Sequence, residues 1–441
     1  MENRDLELEV IENNMIIGPG IPSFLDRLEI EHNHTEQIAS TIHMAPRTLR
    51  DLSPHSFSPR VVSIGPLHKD DENVQAFERQ KATYVINLMR EMTSPKNTVI
   101  DSCMQRMQEL MGQIKACYVL TKEYDDVEFA EMMVMDACFI LGFILKNFAL
   151  NIDDVFYLGD VVCDLVLLEN QIPFFVLDEI FNRTIVELDI CVSLVQFISP
   201  VFSRLNLFDS DAGFRIPNNI SIDHTHHILS LQHACYKPLE DNIIPEDYLS
   251  TRSHSATDLD KAGVSFKPNR SQTWVLGMDM EFPSFLWSWC KCTLRMPVLV
   301  VHDSTELILR NLIAYELESS QTRKYITSYA IVMDRFVNTQ YDVAKLVESK
   351  VLVNYMGSNE EAANMINNIC KEISVVNSLY RRQLKTLDKY YNRYWPKHIA
   401  WMRRTYFSSP WNIIALVVGI IIFTLSMIQT IYAIKSYKDK K

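Results

Sequence analysis

The spacing of hydrophobic positions changes along this chain, and the changes mark its elements. From Ile100 to Tyr118, apolar residues at Ile100, Cys103, Met104, Met107, Leu110, Met111, Ile114 and Cys117 recur every three or four positions. That period predicts an amphipathic helix. Residues 129–148 are apolar on nearly every side, as a central buried helix should be, while Glu131, Asp136 and Lys146 interrupt the run too often for it to span a membrane. Between 264 and 301 the runs VSFK, TWVLGMDMEF and TLRMPVLVVHD are β-rich and spaced like a small antiparallel sheet. Helical spacing resumes at STELILRNLIAYE. Thr339 with Asp342, and Ser358 with Glu361, have the hydroxyl–acid spacing that caps helix N-termini. Pro46, Pro54, Pro59 and Pro66 predict an extended, turn-rich path over 46–66. Residues 210–262 are polar and contain histidines, and they read as a linker or insertion. The pattern predicts an α+β fold: a predominantly helical body over 42–375 with a small antiparallel sheet, preceded by an acidic leader at 1–41.

One short run breaks its own pattern. In DLVLLENQIPFFVLDEIFN, Glu169, Asn170 and Gln171 stand inside an apolar stretch just before Pro173. Proline disfavours helical geometry at the residue before it and has no N–H, so the chain must turn there and free main-chain groups. Two amides and a carboxylate are suited to pairing with such groups. A structural joint is the expected role, with catalysis the competing one.

The segment Pro410–Ile434 carries no charge, and its 25 residues cover a hydrocarbon core that needs about 20 in a helix. Trp411 and Tyr432 stand near its ends, where interfacial aromatics belong. Thr424, Ser426, Gln429 and Thr430 are polar residues that can favour helix pairing. A single transmembrane helix over 410–434 is predicted, with a basic tail at 435–441. The N-terminal MENRDLELEVIENN is acidic where a secretory leader would be basic, which leads to the expectation of a tail anchor with the body in the cytosol.

Charge sharpens this picture. Of 43 Lys and Arg, 12 lie after residue 375 beside only two acids, Asp388 and Asp439, while the remaining 31 face 53 of the 55 Asp and Glu. An acidic body of net −22 therefore leads into a basic end of net +10. Such a body repels nucleic acid, and such an end suits an anionic surface. In the stalk at 376–409, Arg381, Arg382, Lys385, Lys389, Arg393, Lys397, Arg403 and Arg404 are interleaved with Tyr390, Tyr391, Tyr394, Trp395 and Trp401. Contact with lipid headgroups is expected there.

Candidate chemistry changes the picture little. No GxGxxG, Walker A, HExxH or GxSxG motif occurs, and 11 glycines are few for nucleotide folds. Nine cysteines, most in apolar stretches, read as buried free thiols, in keeping with a reducing compartment. The histidines of HTHH at 224–227, with His233 and Cys235, form the best metal candidate, and Cys290 with Cys292 the next; neither completes a ligand set. His302, Asp303 and Ser304 are consecutive and cannot face one another as a triad must. No catalytic, cofactor or metal residue is assigned. Sequons at Asn33, Asn182, Asn219 and Asn269 are as frequent as chance allows.

Several phrases together resemble a family: IHMAPRTLRDLSPHSFSPRVVSIGPLH, EFAEMMVMDACFI, DLVLLENQIPFFVLDEIF, SHSATDLDKAGVSFK, STELILRNLIAYE, YITSYAIVMDRFVNTQYDVAKLV and GSNEEAANMINNI, followed by the closing PWNII…IQTIYAI. In this order, over residues 42–434, they are similar to the plant domain of unknown function 247. The chain departs from that family's usual pattern at Leu67-His68-Lys69 and at Ala137. The resemblance implies a plant protein with a helical body and one C-terminal transmembrane helix, and it carries over no catalytic residue. Some grass members of that family are associated with self-incompatibility. The expected function is membrane-tethered protein recognition or signalling, with partner specificity most easily placed in 210–262. The opposing expectation is an unrecognised hydrolase or transferase using scattered carboxylates and His68.

Overall fold

The computed structural model of the chain describes residues 41–120, 122–149, 158–190, 193–209, 216, 225–238, 246–247, 254–269, 274–282, 292–318, 322–373, 377–392 and 410–438. The acidic leader, much of 210–262, Cys290, the stalk residues 393–409 and the last three residues of the tail lie outside these.

Six helices open the body: α1 (Arg47–Leu52), α2 (Glu72–Gln75), α3 (Glu78–Glu91), α4 (Lys96–Glu109), α5 (Met111–Ala116) and α6 (Asp126–Ile144). Helix α6 is the central one, buried on almost every face, with α3 and α4 packed against it. Tyr84 of α3 meets Phe139 and Phe143 of α6 at ring-centroid distances of 5.5 and 5.8 Å. The helices come close because Gly142 has no side chain; a Cβ there would stand 3.0 Å from the Tyr84 carbonyl oxygen. The period predicted over 100–118 is present, but Leu110 breaks it into α4 and α5.

Helices α7 (Leu158–Asp164) and α8 (Phe174–Arg183) follow, and α8 packs on both α4 and α6. Next come α9 (Leu194–Arg204), α10 (Ile228–Ala234) and α11 (Ala256–Lys261). Both α10 and the apolar side of α11 are buried, so these two parts of 210–262 contribute to the core. The letters mislead because Ser230, Gln232 and His233 are buried despite their polarity. A further layer comprises α12 (Thr305–Glu318), α13 (Tyr325–Phe336), α14 (Gln340–Glu348) and α15 (Asn359–Ile369). Both expected caps form: Thr339 and Asp342 make a capping box on α14, and Ser358 accepts the Glu361 N–H at 3.1 Å.

The expectation of one antiparallel sheet is corrected. The strands are β1 (Phe208–Asp209), β2 (Glu246–Asp247), β3 (Val264–Pro268), β4 (Asp279–Glu281), β5 (Cys292–Met296), β6 (Val298–Val301), β7 (Leu352–Asn354) and β8 (Asn377–Ser378). They form two mixed three-stranded sheets, in orders β3-β5-β4 and β1-β6-β7, and an antiparallel pair β2-β8. Strand β3 pairs parallel with β5, and β6 parallel with β7. The physical reason lies in Pro297, which has no N–H for a ladder and divides TLRMPVLVV into strands of different sheets. The residues between β3 and β5 also suffice for the long crossover that a parallel pair requires.

The expected stalk is likewise only partly a stalk. Residues Arg381–Tyr391 form α16, which buries Leu384 and Leu387 against the body. Gln383 donates to the Met278 carbonyl at 2.9 Å and Tyr380 to that of Leu276 at 2.7 Å. His254 stacks on Tyr391 with centroids 3.7 Å apart. Arg382, Lys385 and Lys389 remain on the exposed side. Helix α17 (Pro410–Lys438) contains the long apolar segment, Trp411–Ser436, none of which is buried against the body.

Candidate functional site

Helix α7 ends in a non-helical joint, Leu165–Pro173, that holds Glu169, Asn170 and Gln171, all at most 2% exposed. Their partners lie mainly in the proline-rich segment a hundred residues earlier. Asp164 accepts the N–H groups of Arg60, Val61 and Val62 at 2.9, 2.8 and 3.0 Å. Asn170 accepts from the Ile64 N–H at 2.7 Å and donates to the carbonyls of Val62 and Asp164, each at 3.0 Å. Gln171 donates to the carbonyls of Leu165 and Leu167 at 2.8 and 2.7 Å and accepts the Leu229 N–H of α10 at 3.3 Å. Side chains here replace a sheet partner for residues 60–64.

The segment then passes through Gly65, which has φ of +74° and lies so close to the joint that a Cβ would sit 2.5 Å from the Gln171 carbonyl oxygen. Its N–H donates to Asp136 of α6 at 2.7 Å. Asp136 also pairs with Lys81 of α3, whose ammonium donates to the Ser63 carbonyl at 2.8 Å. Tyr118 and Tyr124 add hydroxyl donors to the carbonyls of Gln171 and Pro66, each at 3.1 Å.

Glu169 carries the titratable part. One carboxylate oxygen accepts the Ala45 N–H at 2.8 Å, with Arg50 at 3.8 Å, and the other meets His68 Nε2 at 3.0 Å. His68 Nδ1 is 2.7 Å from Asp71. Burial alone would lower the imidazole pKa, but hydrogen bonds to Glu169 and Asp71, reinforced by their charge, hold it above its ordinary value. Burial also pushes the Asp164 carboxyl up to about 6, against the three N–H groups it accepts. Both His68 nitrogens and both Glu169 oxygens are engaged, and through Glu169 the pair fastens the Ala45 backbone.

A second buried pair lies under α10. His233 Nε2 is 2.8 Å from Glu316 of α12, whose oxygens also accept the N–H groups of Ile326 and Thr327 at 2.8 and 2.7 Å. His227 caps α10 through Nδ1, 3.2 Å from the Ser230 N–H, and burial lowers its pKa to about 3. Cys235 donates to the Leu231 carbonyl at 3.3 Å. The residues weighed for zinc are therefore spread over cap, ion pair and helix end, and His224 lies outside the described residues. Among the described residues, no three His, Cys, Asp or Glu side chains converge as metal ligands. The seven described cysteines are free thiols, Cys292 among them. His302 accepts the Ser304 N–H at 3.3 Å at the start of α12, a turn rather than a triad.

Sequence reasoning singled out the three joint residues but missed Asp136, Asp164 and Lys81. The signal available was an acid or a lysine isolated within an apolar helical run, as Asp136 is in MMVMDACFI.

The profile of a family described as plant protein of unknown function, DUF247, matches residues 42–425. The chain is 25% identical to the UPF0481 protein At3g47200 of Arabidopsis thaliana, over 91% of this chain and 87% of that protein. It is 22% identical to the putative UPF0481 protein At3g02645 of the same plant, over 91% of each. No solved structure matches the chain. From the ordered phrases of the body through most of the apolar helix, the chain belongs to the DUF247 family of plant proteins of unknown function.

Proposed function

We propose that this protein is a membrane-tethered recognition protein whose acidic body binds a protein partner with a basic surface. The observation that carries the reading is Trp411–Ser436, a 26-residue apolar helix with none of its surface buried in the body. A helix so apolar has nothing in the described body to cover it, and a bilayer covers it completely. Ahead of it, α16 turns Arg382, Lys385 and Lys389 outward, and these suit anionic headgroups. Recognition is favoured over catalysis because the buried carboxylates of Glu169, Asp164 and Asp136 accept main-chain N–H groups. The net −22 of residues 1–375 favours a basic partner and an association that slows as salt rises.

The test is proximity labelling in plant cells with a labelling enzyme fused to the N-terminus of the intact chain, beside the same fusion ended at Ser409. The intact chain should resist alkaline carbonate extraction and label a partner whose binding to the purified body weakens with salt. Carbonate-resistant retention of the truncated chain overturns the tether. Turnover of a small molecule by the purified body overturns recognition.

A further inference from the structure

Helix α16 has two sides of opposite character. Leu384 and Leu387 are buried against the body, while Arg382, Lys385, Lys389 and the C-cap residue Asn392 are exposed. These four follow one another in steps of three, four and three, so they line one outer face. That face carries three cations and no acid. Asp388, the one acid of the helix, is half-buried beside it, where it accepts from Asn392 Nδ2 at 3.0 Å and meets His254 Nε2 at 3.2 Å.

An exposed apolar residue stands next to this face. Phe282, at the end of β4, is 53% exposed. Its ring centroid lies 6.3 Å from that of Tyr390, the residue after Lys389 on the flank of α16. The acids of β4 are offset by cations. Glu281 pairs with Arg295 and lies within the field of Lys267, and Asp279 stands opposite Arg295 in the β4–β5 register. A cationic face with a phenyl ring at its edge matches the boundary layer of a bilayer. Headgroups take the charge there, and the ring passes between them toward the acyl chains.

We propose that the body lies against an anionic bilayer on the side formed by α16 and the end of β4. Arg382, Lys385 and Lys389 then stand among the headgroups, and Phe282 is inserted beside them. This rests on the membrane tether proposed above and adds a docked orientation of the body to it. Lipid is the occupant because the three cations complement anionic headgroups and the ring needs an apolar layer next to them. Helix α16 also leads through Asn392 to Pro410, so a bilayer that holds α17 keeps this side of the body at high effective concentration.

The experiment uses the full chain in vesicles of phosphatidylcholine with phosphatidylserine, beside vesicles of phosphatidylcholine alone, both with brominated acyl chains. Phe282→Trp should add fluorescence that the brominated lipid quenches in the anionic vesicles, over the background of the unsubstituted chain. Tyr355→Trp, at a residue 72% exposed that follows β7 in the other sheet, should add fluorescence that is not quenched. In neutral vesicles, or with Arg382, Lys385 and Lys389 all replaced by Gln, quenching at 282 should fall by about threefold or more. Equal quenching at 282 and 355, or none at 282 in a carbonate-resistant chain, overturns the docking and leaves the tether standing. Quenching at 282 that ignores both phosphatidylserine and the three cations overturns the charge complementarity on which the docking depends. Cross-linking of Lys385 and Lys389 to a separate protein in native membranes, without lipid quenching at 282, assigns the face to an acidic protein and overturns the proposal. A full chain extracted by carbonate overturns tether and docking together.

Discussion

His68 is held between two acids, and its raised pKa has a definite consequence for stability. A proton bound more tightly in the folded chain than the unfolded one contributes stability that is complete below the unfolded value, near 6.5. That contribution is lost as pH rises through the folded value. Denaturant midpoints of the detergent-solubilised chain should therefore fall as pH rises above neutrality, and in His68→Gln the fall should flatten. The same substitution should cost about 2 kcal/mol at pH 6, because a charged buried hydrogen bond is removed. At Asn170, replacement by leucine removes the partner of the Ile64 N–H and of two carbonyls inside a 0%-exposed site. Its cost should exceed about 3 kcal/mol, while Glu169→Gln, which still accepts from Ala45, should cost about half as much. Equal losses in urea titrations would contradict the backbone-pairing role. The role of Glu169, Asn170 and Gln171 was legible because polar letters before a proline in an apolar run need an explanation. Their partners at Ala45, Val62 and Ile64 were not, since only the folded chain brings residues a hundred positions apart together.

Elements were legible in proportion to how local their causes are. Helix α6 and the caps of α14 and α15 follow from spacing within a few residues. The sheets do not, because a parallel pair such as β6–β7 joins positions some fifty residues apart and leaves no short-range signature. Helix α10 was hidden because its buried Gln232 and His233 read as solvent-facing. Exchanging all of 210–262 would thus remove core along with any binding surface. The turn at Gly65 gives the sharpest test of the element it serves. Gly65→Ala meets both a positive φ and the Gln171 carbonyl, so it should destabilise the chain by about 3 kcal/mol, visible as a lower Tm. Gly112→Ala, where the added Cβ meets nothing within 4 Å of the helix α5 surface, is the matched control and should be neutral or slightly stabilising.

At the scale of the whole molecule, the apolar helix was plain from composition, while the docking of α16 was concealed by its basic letters. Its inward Leu384 and Leu387 were the available sign. If its outer face meets headgroups, a chain ended at Ser409 should bind phosphatidylserine vesicles weakly and release with salt. Replacing Arg382, Lys385 and Lys389 by Gln should then weaken that sedimentation at least tenfold, at about 1 kcal/mol per charge, without affecting neutral vesicles. Because α16 is fastened to Met278 and Leu276, the chain between the body and Pro410 begins at Asn392, not at Tyr380. From Asn392 to Pro410 a fully extended chain reaches roughly 60 Å, and with α17 in a bilayer, as proposed, that is a ceiling on how far the body can stand from the surface. Peeling α16 away would raise that ceiling by roughly 40 Å. With α17 in a bilayer, as proposed, the few contacts of one helix therefore hold the body nearer that surface than the length of the basic segment alone would allow.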